Sequence, residues 1–156
     1  MLQRIQTLYL LLVVVLTSIT LFTVQAGFIS NTNVATQYIL NFKGVSQVLP
    51  NGLSLVQNTW ALTAISALIP AVALVTIFLF KKRFLQIRLS IVNIVLLGGY
   101  YALLFIYLWQ AGVQLDAKWY LKIVTAFPLV SIVLTFMSLR AIGRDEALIK
   151  SLNRIR

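Results

Sequence analysis

Lys81-Lys82-Arg83-Phe84-Leu85-Gln86-Ile87-Arg88 divides this chain of 156 residues into two apolar halves. Four cations sit there between two long stretches with no charge, Gly44 to Phe80 and Leu89 to Leu115. A soluble domain of this size has too little interior to bury both. A bilayer can take them as spanning helices, each needing about 20 apolar residues. The basic knot is then the short loop that joins two spans.

The composition agrees with that reading. Hydrophobic residues make up 60% of the chain, charged residues 10%, and the mean hydropathy is +0.94. Soluble domains carry about a quarter charged residues. The net charge of +10 comes from 13 Lys and Arg against three acids, Asp116, Asp145 and Glu146. On a soluble protein such a balance suggests nucleic acid. Here the cations flank apolar runs, which is the positive-inside arrangement, so no nucleic-acid partner is expected. The chain has no Cys and no His. Thiol chemistry, His-ligated haem, His or Cys zinc sites and His general-base catalysis are thereby excluded.

The expected fold class is an all-α integral membrane protein. It is a four-transmembrane-helix bundle with a small β-like extracytoplasmic loop between helices 1 and 2. The spans are expected at about 5–28, 58–80, 89–110 and 119–140, the outer loop at 29–57 and a cytoplasmic tail at 141–156, all in one membrane domain. Val24-Gln25-Ala26 before Gly27 also fits a signal-peptide cleavage site. The apolar run before it is longer than a signal core, so retention as a span is the expectation. In the outer loop, Gln37 to Phe42 is rich in strand formers. Lys43-Gly44 and Pro50-Asn51-Gly52 are turn signals, and Val45 to Leu49 and Leu53 to Val56 are candidate partner strands. A disordered loop is the alternative.

Within the spans, Thr63, Ala67 and Ala71 line small side chains along one face of the second helix, which suits close helix approach. Pro70 predicts a kink there. Asn93 needs a hydrogen-bond partner in hydrocarbon and is expected to face another helix. Ser131, Thr135 and Ser138 share one side of the fourth span.

Charge counting sets the orientation. Arg4, the four cations of the knot, Arg140, Arg144, Lys150, Arg154 and Arg156 fall on one side, and Lys43, Lys118 and Lys122 on the other. Ten against three places both termini in the cytoplasm. Trp60, Trp109 and Trp119 then meet at the outer interface, where amphipathic rings prefer to sit. In the tail, Ala141, Leu148, Leu152 and Ile155 share a face, and Glu146 and Lys150 form an i,i+4 pair. That helix either lies on the membrane or a partner, or is a solvated stub.

Three segments carry a resemblance: Met1-Leu-Gln-Arg-Ile-Gln-Thr-Leu-Tyr-Leu, Lys81-Lys-Arg-Phe-Leu-Gln-Ile-Arg-Leu, and Arg140-Ala-Ile-Gly-Arg-Asp-Glu-Ala-Leu-Ile-Lys-Ser-Leu. Together they resemble the domain of unknown function 4293 family, small four-helix inner-membrane proteins of Bacteroidota. The resemblance implies a bacterial inner membrane and four spans. It supplies no catalytic residues.

No carboxylate lies inside a span, so the intramembrane acid that proton-coupled exporters need is missing. Asp145-Glu146 as a metal pair competes with a solvated helix face. Asn93, Tyr100 and Tyr101 either line a small-molecule pocket or pack between helices. Gly98-Gly99 has no strand before it and is no phosphate loop. Neither a cofactor nor a metal nor catalysis is expected. The leading expectation is an accessory or scaffold subunit of a membrane complex, partnered by a membrane protein or by further copies of itself. The alternative is a small-solute transporter or channel component acting as an oligomer, its path lined by Asn93, Thr63, Ser131 and Thr135. A lipid-modifying enzyme would need Asp116 beside a polar interfacial cleft. The candidate contact residues are Lys81, Lys82, Arg83, Arg88, Arg140 and Arg144. They either only mark the cytoplasmic side or hold anionic lipid or an acidic partner.

Overall fold

The computed structural model describes residues 3–30, 36–50, 52–79 and 82–153. Lys81, Asn51, Arg154, Ile155 and Arg156 lie outside these residues, as do the side chains of Arg4 and of the tail from Asp145 onward. The tail face and its Glu146–Lys150 pair therefore fall outside the description as well.

Helix α1 (Gln3–Phe22) leads into strands β1 (Ala26–Ser30), β2 (Gln37–Asn41), β3 (Gly44–Leu49) and β4 (Gly52–Asn58). Helices α2 (Trp60–Phe78) and α3 (Arg83–Gln114) follow. Strand β5 (Ala117–Leu121), a single 3-10 turn over Ile123–Ala126 and helix α4 (Phe127–Asn153) complete the chain. Among the described residues, four segments are long and apolar enough to cross a membrane: Ile5–Phe22, Trp60–Phe78, Arg83–Gln114 and Ile123–Arg144.

The all-α expectation is wrong. The five strands form one antiparallel sheet in the order β4-β3-β2-β1-β5. The hairpins between residues 37 and 58 follow the turn signals, but β1 and β5 straddle the expected helix boundaries, with 26–28 and 119–121 read as helix and the rest as loop. α1 stops at Phe22 rather than near 28, and Trp119 stands in a strand rather than opening the fourth helix. The physical reason is pairing over a long sequence distance. β1 is held between β2 and β5, with Gly27 opposite both Ile39 and Tyr120. Tyr120 lies so close over Gly27 that a Cβ there would overlap its ring. A large ring covering a strand glycine restores the packing that the glycine lacks.

The helices run up and down as a square bundle, α1 packing on α2 and α4, and α3 on the same two. α3, at roughly 48 Å by 1.5 Å per residue, is much the longest of the apolar segments. Its last turns pass beyond the bundle and cover one sheet face. There Leu104, Leu108 and Ala111 pack with Ala26, Phe28, Leu40 and Val45 in the main apolar cluster. Gln25 ties sheet to bundle: its N–H donates to the Leu40 carbonyl, and its own carbonyl accepts from Lys122 N–H at 3.0 Å and from the Thr125 hydroxyl. The near end of the sheet rests on the helix ends, where Phe42 meets Phe22 edge-on at 6.5 Å and the Thr63 hydroxyl donates to the Phe42 carbonyl.

The stripe Thr63, Ala67 and Ala71 does not make the helix contact expected of it. Ala67 and Ala71 are exposed, and α2 buries Leu62, Ser66, Ile69, Pro70, Ala73 and Thr76 instead. Apolar side chains occupy almost every side of this helix, so spacing alone does not set its rotation. Pro70 is buried inside α2.

Candidate functional site

The basic end of the bundle holds the residues singled out in the sequence. Helix α3 starts with Lys82 as its N-cap, without a side-chain cap bond and without an acid in its first turn. Cations there oppose the helix macrodipole, a mismatch costing about 0.3–1 kcal/mol for each exposed charge. The first backbone N–H groups of a helix favour an anion instead. Lys82 is exposed and Arg83 half-buried. The Arg83 Nη1 is enclosed with no hydrogen-bond partner among the described residues. Arg88 is exposed, and its guanidinium lies 4.3 Å from the centre of the Phe84 ring, which props it at the rim. Arg140 and Arg144 are exposed on α4, past the level at which the Ser138 hydroxyl approaches the Gln6 carbonyl. The connectivity thus gathers Lys82, Arg83, Arg88, Arg140 and Arg144 at one end. With no acid facing them among the described side chains, they present an anion-receptive surface.

Between the ends, the buried faces of the helices are polar but uncharged. Most hydroxyls satisfy themselves on their own helix: Thr17 on the Val13 carbonyl at 2.7 Å, Thr76 on Val72 at 2.7 Å, Ser131 on Phe127 at 2.9 Å and Thr135 on Ser131 at 2.7 Å. Gln86 donates through Nε2 to the Thr76 carbonyl at 3.0 Å, locking the α2–α3 turn. Ser90, Asn93 and Tyr100 differ. They lie on one face of α3, fully buried, and the Ser90 Oγ, both amide atoms of Asn93 and the Tyr100 hydroxyl have no partner among the described residues. Asn93 does face the bundle interior as expected, but without the expected partner among the described residues. Of the residues read as a transport path, Asn93, Ser131 and Thr135 are buried. Thr63 is at the sheet junction instead, and Ser131 and Thr135 are occupied by their own backbone.

A family model described as Domain of unknown function (DUF4293) matches residues 2–155. The chain belongs to this family. The likeness seen in three short segments therefore extends over nearly the whole DUF4293 chain. No curated protein matches it.

The sequence missed a third feature of this DUF4293 protein, the sheet face turned away from α3. Register places Tyr120, Gly27, Ile39, Ser46 and Leu55 in one row across that face, and Lys118, Ile29, Gln37, Val48 and Leu53 in the next. Ile29, Val48, Leu53, Leu55 and Tyr120 are all exposed, Leu53 at 57% and Leu55 at 54%. Strand β4 is an edge, so its outer backbone groups are free to pair with another chain. The alternation in 53–56 was visible in the sequence, but which face α3 would cover was not. Among the described residues, no group of three or more acids could hold a metal ion. Asp116 does line an open cleft, together with Trp109, Lys118 and Trp119. Asp116 is the one acid lining it, so the cleft has no second carboxylate to form an acid–base pair among the described residues.

Proposed function

We propose that this DUF4293 protein is a non-catalytic integral protein of a bacterial inner membrane, an accessory or scaffold subunit that docks another membrane protein on its sheet. It crosses the bilayer four times with both termini in the cytoplasm, as the ten-to-three division of cations favours. The observation that carries the docking role is the open apolar sheet face. Contiguous exposed apolar patches on folded chains mark interaction sites. Measured along α3, Tyr101 is roughly 27 Å from Arg83, near the far edge of a 30 Å hydrocarbon layer. The sheet begins there, at headgroup depth. A partner embedded beside it can reach the face and the β4 edge together, which is the β-augmentation mode.

The Cys-free chain allows a direct test. A single Leu55→Cys variant should react with a membrane-impermeant maleimide from outside the cell. Carrying a photoreactive maleimide, it should form a defined adduct with one membrane protein, and Leu53→Glu should abolish that adduct. Labelling only from the cytoplasm would overturn the topology. An adduct that survives Leu53→Glu, or no adduct at all, would overturn the docking role.

The basic end then faces the cytoplasmic leaflet, where each cation contributes about 1 kcal/mol of attraction to anionic lipid. The enclosed Arg83 Nη1 and the open N-terminus of α3 suit a headgroup phosphate. Lys82→Gln with Arg83→Gln should lower cardiolipin retention in native mass spectrometry by about tenfold or more, from two such contributions. Equal retention with topology intact would leave these charges only their orienting role.

A further inference from the structure

Where the end of α3 turns back into β5, a cleft of about 660 Å³ opens between Trp109 on the helix and Trp119 on the strand. Two local features build it. Gly112 lets the strand come close, since a Cβ there would sit 3.3 Å from Cδ1 of Trp119. Asp116 takes a left-handed backbone conformation, with φ of 44°, and reverses the chain between α3 and β5. Asp, Asn and Gly tolerate that conformation best. The turn thus holds a carboxylate beside two indoles, both well exposed, Trp109 at 74%. It is also the only acid in the sequence outside the cytoplasmic tail.

Indole faces attract cations, and a carboxylate completes the set for an ammonium group. Lys118 borders the same cleft, but its pairing with Ile29 turns its side chain to the opposite sheet face. The side chains turned toward the cleft thus offer one carboxylate and two indoles, which suits a primary ammonium. Height narrows the ligand further. Trp109 is roughly 39 Å along α3 from Arg83. In a membrane whose hydrocarbon layer is about 30 Å and whose full thickness is about 40–45 Å, that is the headgroup layer of the far leaflet.

We infer that this cleft binds the phosphoethanolamine headgroup of a far-leaflet lipid. The ammonium sits between the two indoles and donates to Asp116. A methylated choline head has no N–H to donate to the carboxylate, and an anionic head has no ammonium for the indoles. The inference rests on the membrane placement proposed above.

The test uses the full chain in nanodiscs with equal amounts of phosphatidylethanolamine and phosphatidylglycerol, followed by native mass spectrometry of the released complexes. The wild type should retain phosphatidylethanolamine in preference to phosphatidylglycerol. Asp116→Asn keeps the backbone conformation and removes the charge, so it should cut that preference by about two- to fivefold. Trp109→Leu should do the same, whereas Trp60→Leu, outside the cleft, should not. An unchanged preference in both cleft variants would overturn the inference. So would complete displacement of the lipid by millimolar soluble phosphoethanolamine, which would make the ligand a free metabolite. Failure to enter nanodiscs at all would count against the membrane placement itself, and is distinguishable from entry without a headgroup preference.

Discussion

Gly44→Ala should destabilise the folded protein by about 2–5 kcal/mol, seen as a lowered melting temperature in detergent. Two separate costs add at this position. The tight turn from β2 to β3 is closed by the Asn41 side chain, whose Oδ1 accepts from the N–H groups of Lys43 at 3.1 Å and Gly44 at 3.2 Å. Gly44 leaves that turn with φ of 136°, a conformation essentially reserved for glycine. A Cβ built there would also overlap the carbonyl oxygen of Gln57 on β4. Gly52 separates the two contributions. Its φ is 135°, but nothing lies within 4 Å of a Cβ built on it. Gly52→Ala should therefore show the backbone cost alone, about 1–3 kcal/mol. If Gly44→Ala melted no lower than Gly52→Ala, the β3–β4 pairing would be loose enough to yield, and the sheet a poor platform for docking.

The contrast between these hairpins and the rest of the sheet shows what local sequence carries. Lys43-Gly44 and the glycine at 52 mark turns because they solve a backbone problem within a few residues, and β2, β3 and β4 fall where those marks place them. β1 and β5 have no such mark. Ala26 to Ser30 continues an apolar run out of α1, and Trp119 to Leu121 reads equally well as the start of a helix. They become strands because each completes the hydrogen bonds of the other across about ninety residues of chain. That is a property of the assembled fold, not of either segment. Helix rotation was hidden for a different reason. On α2 nearly every position is apolar, so the small side chains at 67 and 71 were as plausible inside as outside. The structure turns Ser66, Ala73 and Thr76 inward, with the Ser66 and Thr76 hydroxyls bonding backbone carbonyls of their own helix. The candidate contact cations were legible because charge in an apolar sequence stands out. The enclosed nitrogen of Arg83, without a partner among the described residues, and the open sheet face were not, since both depend on what the fold covers and what it leaves.

Asn93→Leu should stabilise the protein by about 1–3 kcal/mol, an unusual sign for a substitution at a position with no solvent exposure. The side chain is buried on α3 with both its amide oxygen and its amide nitrogen unpaired among the described residues. Each such group forfeits its hydration on folding and recovers nothing. Leucine has similar bulk, carries no polar atoms and suits the interior face of α3 that also carries Leu97, one turn on. Thr135→Val makes the opposite case, because the Thr135 hydroxyl is satisfied by the Ser131 carbonyl at 2.7 Å. Its removal should cost about 0.5–1.5 kcal/mol or be neutral. Melting temperatures of the two variants in one detergent compare them directly. A loss of stability in Asn93→Leu would mean that the amide is paired in the folded protein by something held inside the bundle. Ser90 and Tyr100, unpaired on the same helix face, would then become its neighbours in a polar interior site. That outcome would favour a solute path over a purely structural core, and a gain in stability would remove its main support.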